Sequence, residues 1–162
     1  MSLYILFISC QKNIDIRMPF PFNKVLWEYG QKIEDIAMPI CNELFDCDFK
    51  KNEKDIFDII DFKDHNKKIV CEIKGRKFKH DRWAETIIPA SKVTSGYQHI
   101  DDGYEVFFIF VFTDKMFKYQ LHEENGLKCK FTGTNCIKHY LIPLVECKEI
   151  EGVDEEMLEV HD

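Results

Sequence analysis

Three charged side chains interrupt two neighbouring apolar segments of the chain. Asp58 stands in the segment 57–62, and Glu72 and Lys74 stand in the segment 69–74. Strand alternation places Glu72 and Lys74 on one face of their segment. Buried charges must be paired or must bind a metal ion. A carboxylate from each segment, with a lysine beside them, is the set of groups that metal-assisted phosphodiester hydrolysis uses.

Each of these groups has a predicted role. Hard oxygen ligands such as Asp58 and Glu72 hold Mg²⁺ or Mn²⁺, with waters in the remaining positions. Lys74 can orient the attacking water or neutralise developing charge. The backbone carbonyl of Ile73 lies between the two side chains and is a further candidate ligand. Asp61 competes with Asp58 for the ligand position because both lie in the same apolar segment.

The polar run 63–68 between the two segments predicts a β-hairpin. A loop of residues 64–66 would place Asp58 opposite Glu72. A loop of residues 65–66 would instead place Asp61 on the face of Glu72. Asn66 suits a left-handed residue that closes the three-residue loop, and it also suits a primed two-residue turn, so turn chemistry leaves the choice open.

This pattern resembles the PD-(D/E)XK nuclease superfamily. That superfamily has an Asp ending one strand and Glu-x-Lys on the next, often with a Glu on the preceding helix. Asp58, Glu72 and Lys74 match the core of the pattern, and Glu34 matches the helical position. The resemblance covers about residues 24–121, and the segment 85–93 is also similar to small virus-encoded members.

The resemblance implies a restriction-endonuclease-like fold and cleavage of DNA. An endonuclease is preferred to an exonuclease because a chain of 162 residues is too small to suggest a processive ring or tunnel within one subunit. The resemblance adds Glu34 to the metal ligands and favours Asp58 over Asp61. The metal-binding Asp of the family usually begins an apolar stretch that runs into the hairpin, as Asp58 does. One departure is that Phe57, rather than Pro, precedes this Asp.

The elements needed to position these residues can be read from periodicity. The apolar spacing in 23–42 predicts a helix capped by Asn23, which Pro39 kinks or divides. Residues 91–100 predict a second helix. Strands are predicted over 44–49, 56–62, 69–73, 104–113 and 116–121, and the almost wholly apolar 104–113 should be buried on both faces. This order predicts an α/β (α+β) domain with a central mixed sheet flanked by helices.

Charge is distributed unevenly along the chain. The net charge is −7, and the segment 146–162 carries all of it, with eight acidic residues and one lysine. We therefore divide the chain into a single nuclease-like domain, 1–145, and an acidic tail, 146–162. The region 67–82 is basic, which indicates either a nucleic-acid surface or an ordinary solvated face. The candidate contacts to DNA are Arg76, Lys77, Lys79, Lys92 and Gln98.

Several alternatives remain open at this stage. RNA is not excluded as the substrate, because nothing in the sequence distinguishes the 2′-hydroxyl. A catalytically silent nucleic-acid-binding module would use the same basic hairpin, and a homodimer is also open. The seven cysteines include no CxxC pair and suit a reducing compartment. We expect an intracellular protein, cytoplasmic or nuclear, with no membrane partner and of viral or cellular origin.

Overall fold

The computed structural model describes residues 23–51, 60–123, 127–132 and 137–160. The described part contains two helices of more than one turn and nine strands. In chain order they are α1 (Lys24–Phe45), β1 (Lys50–Lys51), β2 (Phe62–Asp64), β3 (Ile69–Gly75), β4 (Glu85–Pro89), α2 (Ala90–Asp101), β5 (Glu105–Val111), β6 (Met116–Leu121), β7 (Lys128–Thr132), β8 (Ile137–Pro143) and β9 (Lys148–Glu149).

Six strands form the central sheet in the order β1-β2-β3-β5-β6-β9. The β3–β5 pair is parallel, and its neighbours on both sides are antiparallel. A parallel pair needs a long crossover, which here contains β4 and α2. A second, antiparallel sheet has the order β4-β8-β7. The expected α+β class with a mixed central sheet is confirmed.

Strand β5 is the centre of the hydrophobic core. Its side chains alternate between the two faces of the sheet, as the two-residue period of a strand requires. Phe107, Ile109 and Val111 pack on the face that α1 covers, whereas Phe108 and Phe110 pack with residues of α2 and β8. The prediction that this strand is buried on both faces is confirmed.

Helix α1 is capped at both ends by residues next to it in the sequence. The Asn23 side chain accepts a hydrogen bond from the Leu26 amide at 3.1 Å, and Asp46 closes the helix in a left-handed conformation. The helix continues as one element through Pro39 to Phe45. The predicted strand over 44–49 is therefore wrong, because the helix includes Phe45 and the first strand begins at Lys50.

Helix α1 lies close against the end of β3. Its buried stripe is Ile33, Ala37 and Cys41, at the spacing of successive helical turns. A Cβ atom on Gly75 would stand 3.0 Å from side-chain atoms of both Ile33 and Tyr29. Gly75 therefore permits a close approach of the helix, which brings residues of α1 beside the C-terminal end of β3.

The β2–β3 hairpin has a longer loop than either loop predicted. Phe62 pairs with Cys71 and Asp64 with Ile69, which leaves residues 65–68 as the loop. The Asp64 carboxylate accepts hydrogen bonds from the amides of Asn66 and Lys67, at 2.8 and 3.0 Å. Those bonds stabilise the wider turn, and both predicted registers are wrong. The left-handed residue is Lys68, with φ of 57°, rather than Asn66.

The acidic segment packs against the domain over the part that the structure describes. Strand β9 extends the central sheet beyond β6, and the Ile150 amide donates to the Met116 carbonyl at 2.9 Å. Ile150 and Leu158 are buried in the same cluster as the apolar face of α1. Among the described residues, no helix is both long and apolar enough to cross a membrane.

Candidate active site

Glu72 lies at the centre of the candidate site. It is the fourth residue of β3, it pairs in register with Phe108 of β5, and its side chain is fully buried. A carboxylate surrounded by apolar side chains is costly unless other groups compensate its charge. The structure supplies that compensation from two lysines.

Lys74 and Lys92 both pair with the Glu72 carboxylate. The Nζ atom of Lys74 lies 2.5 Å from Oε1 of Glu72. The Nζ atom of Lys92 lies 2.8 Å from Oε1 and 3.0 Å from Oε2. Lys74 shares a strand face with Glu72, and Lys92 comes from the first turn of α2. Both lysine side chains are about four-fifths buried, so these are ion pairs of the protein interior, which solvent screens little.

Asp61 joins the site from the hairpin. Because Phe62 pairs with Cys71, the next position back along the chain, Asp61, stands across from Glu72. Asp61 lies just before β2 begins, and its Oδ2 atom accepts a hydrogen bond from the Ile73 amide at 2.7 Å. The carboxylate thus replaces the main-chain partner that a longer β2 would have given. Asp58 lies outside the described residues, so its assignment stays a prediction.

Glu34 approaches from α1 and is mostly buried. Its side chain is 17% exposed, and its Oε2 atom lies 3.5 Å from Nζ of Lys51. Nε2 of Gln31 donates to both of its carboxylate oxygens, at 3.2 and 3.3 Å. Glu34 lies on the helix that precedes the hairpin, which is the position from which the sequence pattern selected it as a candidate ligand. The contact with Gln31 could have been predicted from the sequence, because residues three apart on a helix are neighbours. The contact with Lys51 depends on the tertiary fold.

The three carboxylates interact through their charges. The pKa of Glu72 is raised from 4.5 to about 7, chiefly by burial; the charge of Asp61 adds to the shift, and Lys74 and Lys92 oppose it. Burial and the charge of Asp61 also raise the pKa of Glu34, which Lys51 and Lys74 counteract. Asp61 is therefore the group that couples the other two. A cation placed among them would relieve the repulsion.

The arrangement can be compared with what a divalent cation needs. The donors are carboxylates, the hard oxygen ligands that Mg²⁺ prefers. They come from three separate elements of the fold. As they stand, however, the described residues contain no group of three His, Cys, Asp or Glu side chains that could hold a metal ion. The carboxylates fit a divalent cation in kind, whereas in this arrangement the ammonium groups of Lys74 and Lys92 occupy the Glu72 carboxylate.

The residues predicted to contact nucleic acid lie in different environments, some in the candidate site and some on the surface. Lys92 lies within the site, on Glu72. Lys77 is exposed and its Nζ atom lies 4.5 Å from the centre of the Tyr29 ring. Lys79 is exposed and pairs with Glu155 at 3.1 Å.

Arg76 and Gln98 contribute differently. Arg76 is largely buried, and its guanidinium donates to Thr86 Oγ1 and to the Ile87 carbonyl, which connects β3 to β4. Burial lowers the pKa of Arg76 to about 10. Gln98 is exposed farther along α2. Arg76 therefore has a structural role in the described contacts, and its expected contact with DNA stays a prediction.

A cleft of about 260 Å³ opens beside the carboxylates. Tyr29, Gly30, Glu34, Lys74 and Lys77 are among the residues that line it. It runs between α1 and the end of β3, where Gly75 allows the two elements to approach. The sequence analysis did not predict the cleft, because the contact of Tyr29 with Lys77 joins residues 48 positions apart.

Comparisons with protein-family models, with curated proteins and with solved structures found no match to this chain.

Proposed function

We propose that this protein is a nuclease that hydrolyses DNA phosphodiester bonds with Mg²⁺ or Mn²⁺. The observation that carries the proposal is the fully buried Glu72 with Lys74 and Lys92 on its carboxylate. A buried carboxylate flanked by two ammonium groups is expensive to maintain as a purely structural feature. Perturbed ionisable groups that share a site with several charges are typical of functional centres.

The placement of the other carboxylates supports the same proposal. The PD-(D/E)XK pattern combines a Glu on a helix, an Asp on the hairpin and Glu-x-Lys on the next strand. In this fold Glu34 lies on α1, Asp61 lies just before β2, and Glu72 and Lys74 lie on β3, an arrangement that supports the proposal. We therefore assign the Asp position to Asp61, with Asp58 as the alternative that the sequence favoured.

The roles of the residues follow from their chemistry. Glu72, Asp61 and Glu34 would hold the divalent ion. When bound, that ion neutralises phosphate charge and makes a water more acidic. Lys74 orients the attacking water or stabilises the charge that develops on the phosphate. Lys92 brings a second ammonium group to the same point and can pair with a phosphate oxygen.

A cleavage assay tests the proposal. Supercoiled plasmid, single-stranded DNA and RNA are incubated with Mg²⁺, with Mn²⁺ or with EDTA. We expect DNA cleavage with either cation and none with EDTA. Glu72→Gln should be inactive, whereas Glu43→Gln, which changes an exposed glutamate elsewhere on α1, should be fully active. Full activity in Glu72→Gln overturns the assignment of the site, and cleavage of RNA alone changes the substrate.

A second candidate is a catalytically silent nucleic-acid-binding module. The observation in its favour is that both Lys74 and Lys92 occupy the Glu72 carboxylate. In a silent module those pairs would be permanent. Such a protein would bind DNA equally well in Mg²⁺ and in EDTA and would leave it intact. An active enzyme would bind more tightly when Mg²⁺ is present.

A further inference from the structure

The cleft beside the carboxylates has the composition of a binding site for an aromatic ring. Tyr29 forms one wall, and Leu26, Ile33 and Ile73 add apolar surface. Two lysines and one glutamate, Lys74, Lys77 and Glu34, also line it. A ring that carries polar edges and is joined to a negative charge would match both parts of this lining.

The size of the cleft limits what it can accept. Its volume of about 260 Å³ is below the range of roughly 300–1,000 Å³ in which drug-sized ligands bind. One nucleobase is a ligand of that smaller size, whereas a stacked base pair is not. The cleft is also continuous with the candidate active site, because Glu34 and Lys74 belong to both.

The contact between Lys77 and Tyr29 shows how a nucleotide could enter. The ammonium group of Lys77 lies over the Tyr29 ring, 4.5 Å from its centre. Lys77 is exposed, so this cation–π contact is weaker than the stacking of a base on an aromatic ring. A base can therefore displace the ammonium group from the ring. The displaced lysine is then free to pair with the adjoining phosphate.

We propose that this cleft binds one unpaired nucleobase next to the bond to be cleaved, with its ring on Tyr29 and its phosphate on Lys77. The inference rests on the proposed function and makes it more specific. The substrate is then single-stranded DNA, or a strand that is unpaired at the cleavage point. Duplex DNA fits less well because its bases are held in the stack.

Gly30 offers a way to fill the cleft without disturbing the core. It lines the cleft, and a Cβ atom added there would meet no atom within 4 Å. Gly30→Leu puts a side chain into the space that the base would occupy. The same change favours the helix, because glycine is a poor helix former. Gly30→Ala, which adds only a methyl group, is the matched control.

Binding is measured in EDTA, so that cleavage does not interfere. The probes are a single-stranded DNA oligonucleotide that contains 2-aminopurine and the same oligonucleotide in a duplex. We expect the wild type to prefer the single strand and to quench the fluorescent base. Tyr29→Ala and Gly30→Leu should weaken single-strand binding about tenfold, the size of effect that loss of one stacked base brings. Tyr29→Phe and Gly30→Ala should bind as the wild type does.

The possible results separate the two proposals. Equal affinity for single strand and duplex, or unchanged binding in Gly30→Leu, overturns the cleft proposal and leaves the nuclease proposal standing. Absence of binding to every nucleic acid, both in EDTA and in Mg²⁺, overturns both. Trp83→Ala serves as a further control, since Trp83 is an exposed aromatic with Arg82 near its ring. An equal loss in Trp83→Ala would show that exposed aromatics in general, and not this cleft, hold the strand.

Discussion

The pH dependence of folding should identify Glu72 as a buried acid. Burial is the main reason that its pKa rises from 4.5 to about 7. In the unfolded chain the carboxyl returns to its ordinary value. Between those two pH values the folded protein keeps a proton that the unfolded chain has lost. The stability contributed by this group is therefore fully present below pH 4.5 and is lost as the pH rises to about 7.

The magnitude follows from the width of that interval. The free energy of unfolding should change by about 1.4 kcal/mol for each pH unit within it. Over the interval from 4.5 to about 7, the loss is about 3 kcal/mol. Other acids act in the opposite direction. The amides of Lys67 and Asp48 hold the pKa of Asp64 below its usual value, so its stabilising contribution is lost as the pH falls.

The comparison of wild type with Glu72→Gln removes those other contributions. Urea unfolding of both proteins at pH 5, 6, 7 and 8 gives the difference in unfolding free energy at each pH. We expect the wild type to lose stability relative to Glu72→Gln between pH 5 and 7 and then to run parallel to it. Glu43→Gln should run parallel to the wild type throughout. A difference between wild type and Glu72→Gln that is constant with pH would refute the reasoning.

Three further predictions concern the charged groups around this carboxylate. Lys74→Ala should keep Mg²⁺ binding but reduce the cleavage rate roughly 100- to 10,000-fold, measured as kcat together with calorimetric metal binding. Asp61→Asn should weaken Mg²⁺ binding more than roughly tenfold, since a ligand matters at least as much as its supporting groups, whereas Asp58→Asn should not; the reverse result restores Asp58 as the ligand. Neutralising Glu151 and Glu156, which are both exposed, should tighten DNA binding at low salt and have little effect at high salt. Unchanged affinity at low salt would show that the acidic segment lies away from the bound strand.

Local signals in the sequence predicted much of the scaffold. The start of α1 depends on Asn23 and on the apolar stripe that follows it, which are properties of consecutive residues. Strand β5 was predictable because the six residues that follow Glu105 are all apolar and leave no polar face. Glu72 and Lys74 could be selected as candidates because alternation alone puts them on one side of β3.

The remaining features depend on contacts that consecutive residues do not determine. The register of the hairpin depends on the Asp64 carboxylate, which accepts hydrogen bonds from the loop amide of Asn66 and from the Asp48 amide, at 2.8 and 3.0 Å. That register puts Asp61, rather than Asp58, across from Glu72. The ion pair of Lys92 with Glu72 arises only when the crossover brings the first turn of α2 to the buried end of that side chain. Periodicity carries no information about that distance.

The two ends of the central sheet have a consequence for how this protein associates with copies of itself. Strands β1 and β9 contain two residues each, Lys50–Lys51 and Lys148–Glu149. All four residues are charged, and short, charged edge strands pair poorly with a strand from another molecule. The aggregation-prone sequence, the phenylalanine-rich β5, is the fourth strand from one edge of the sheet and the third from the other. Among the described residues, both edges of this phenylalanine-rich sheet therefore disfavour edge-to-edge polymerisation, and a dimer is expected to use a surface other than the continuation of this sheet.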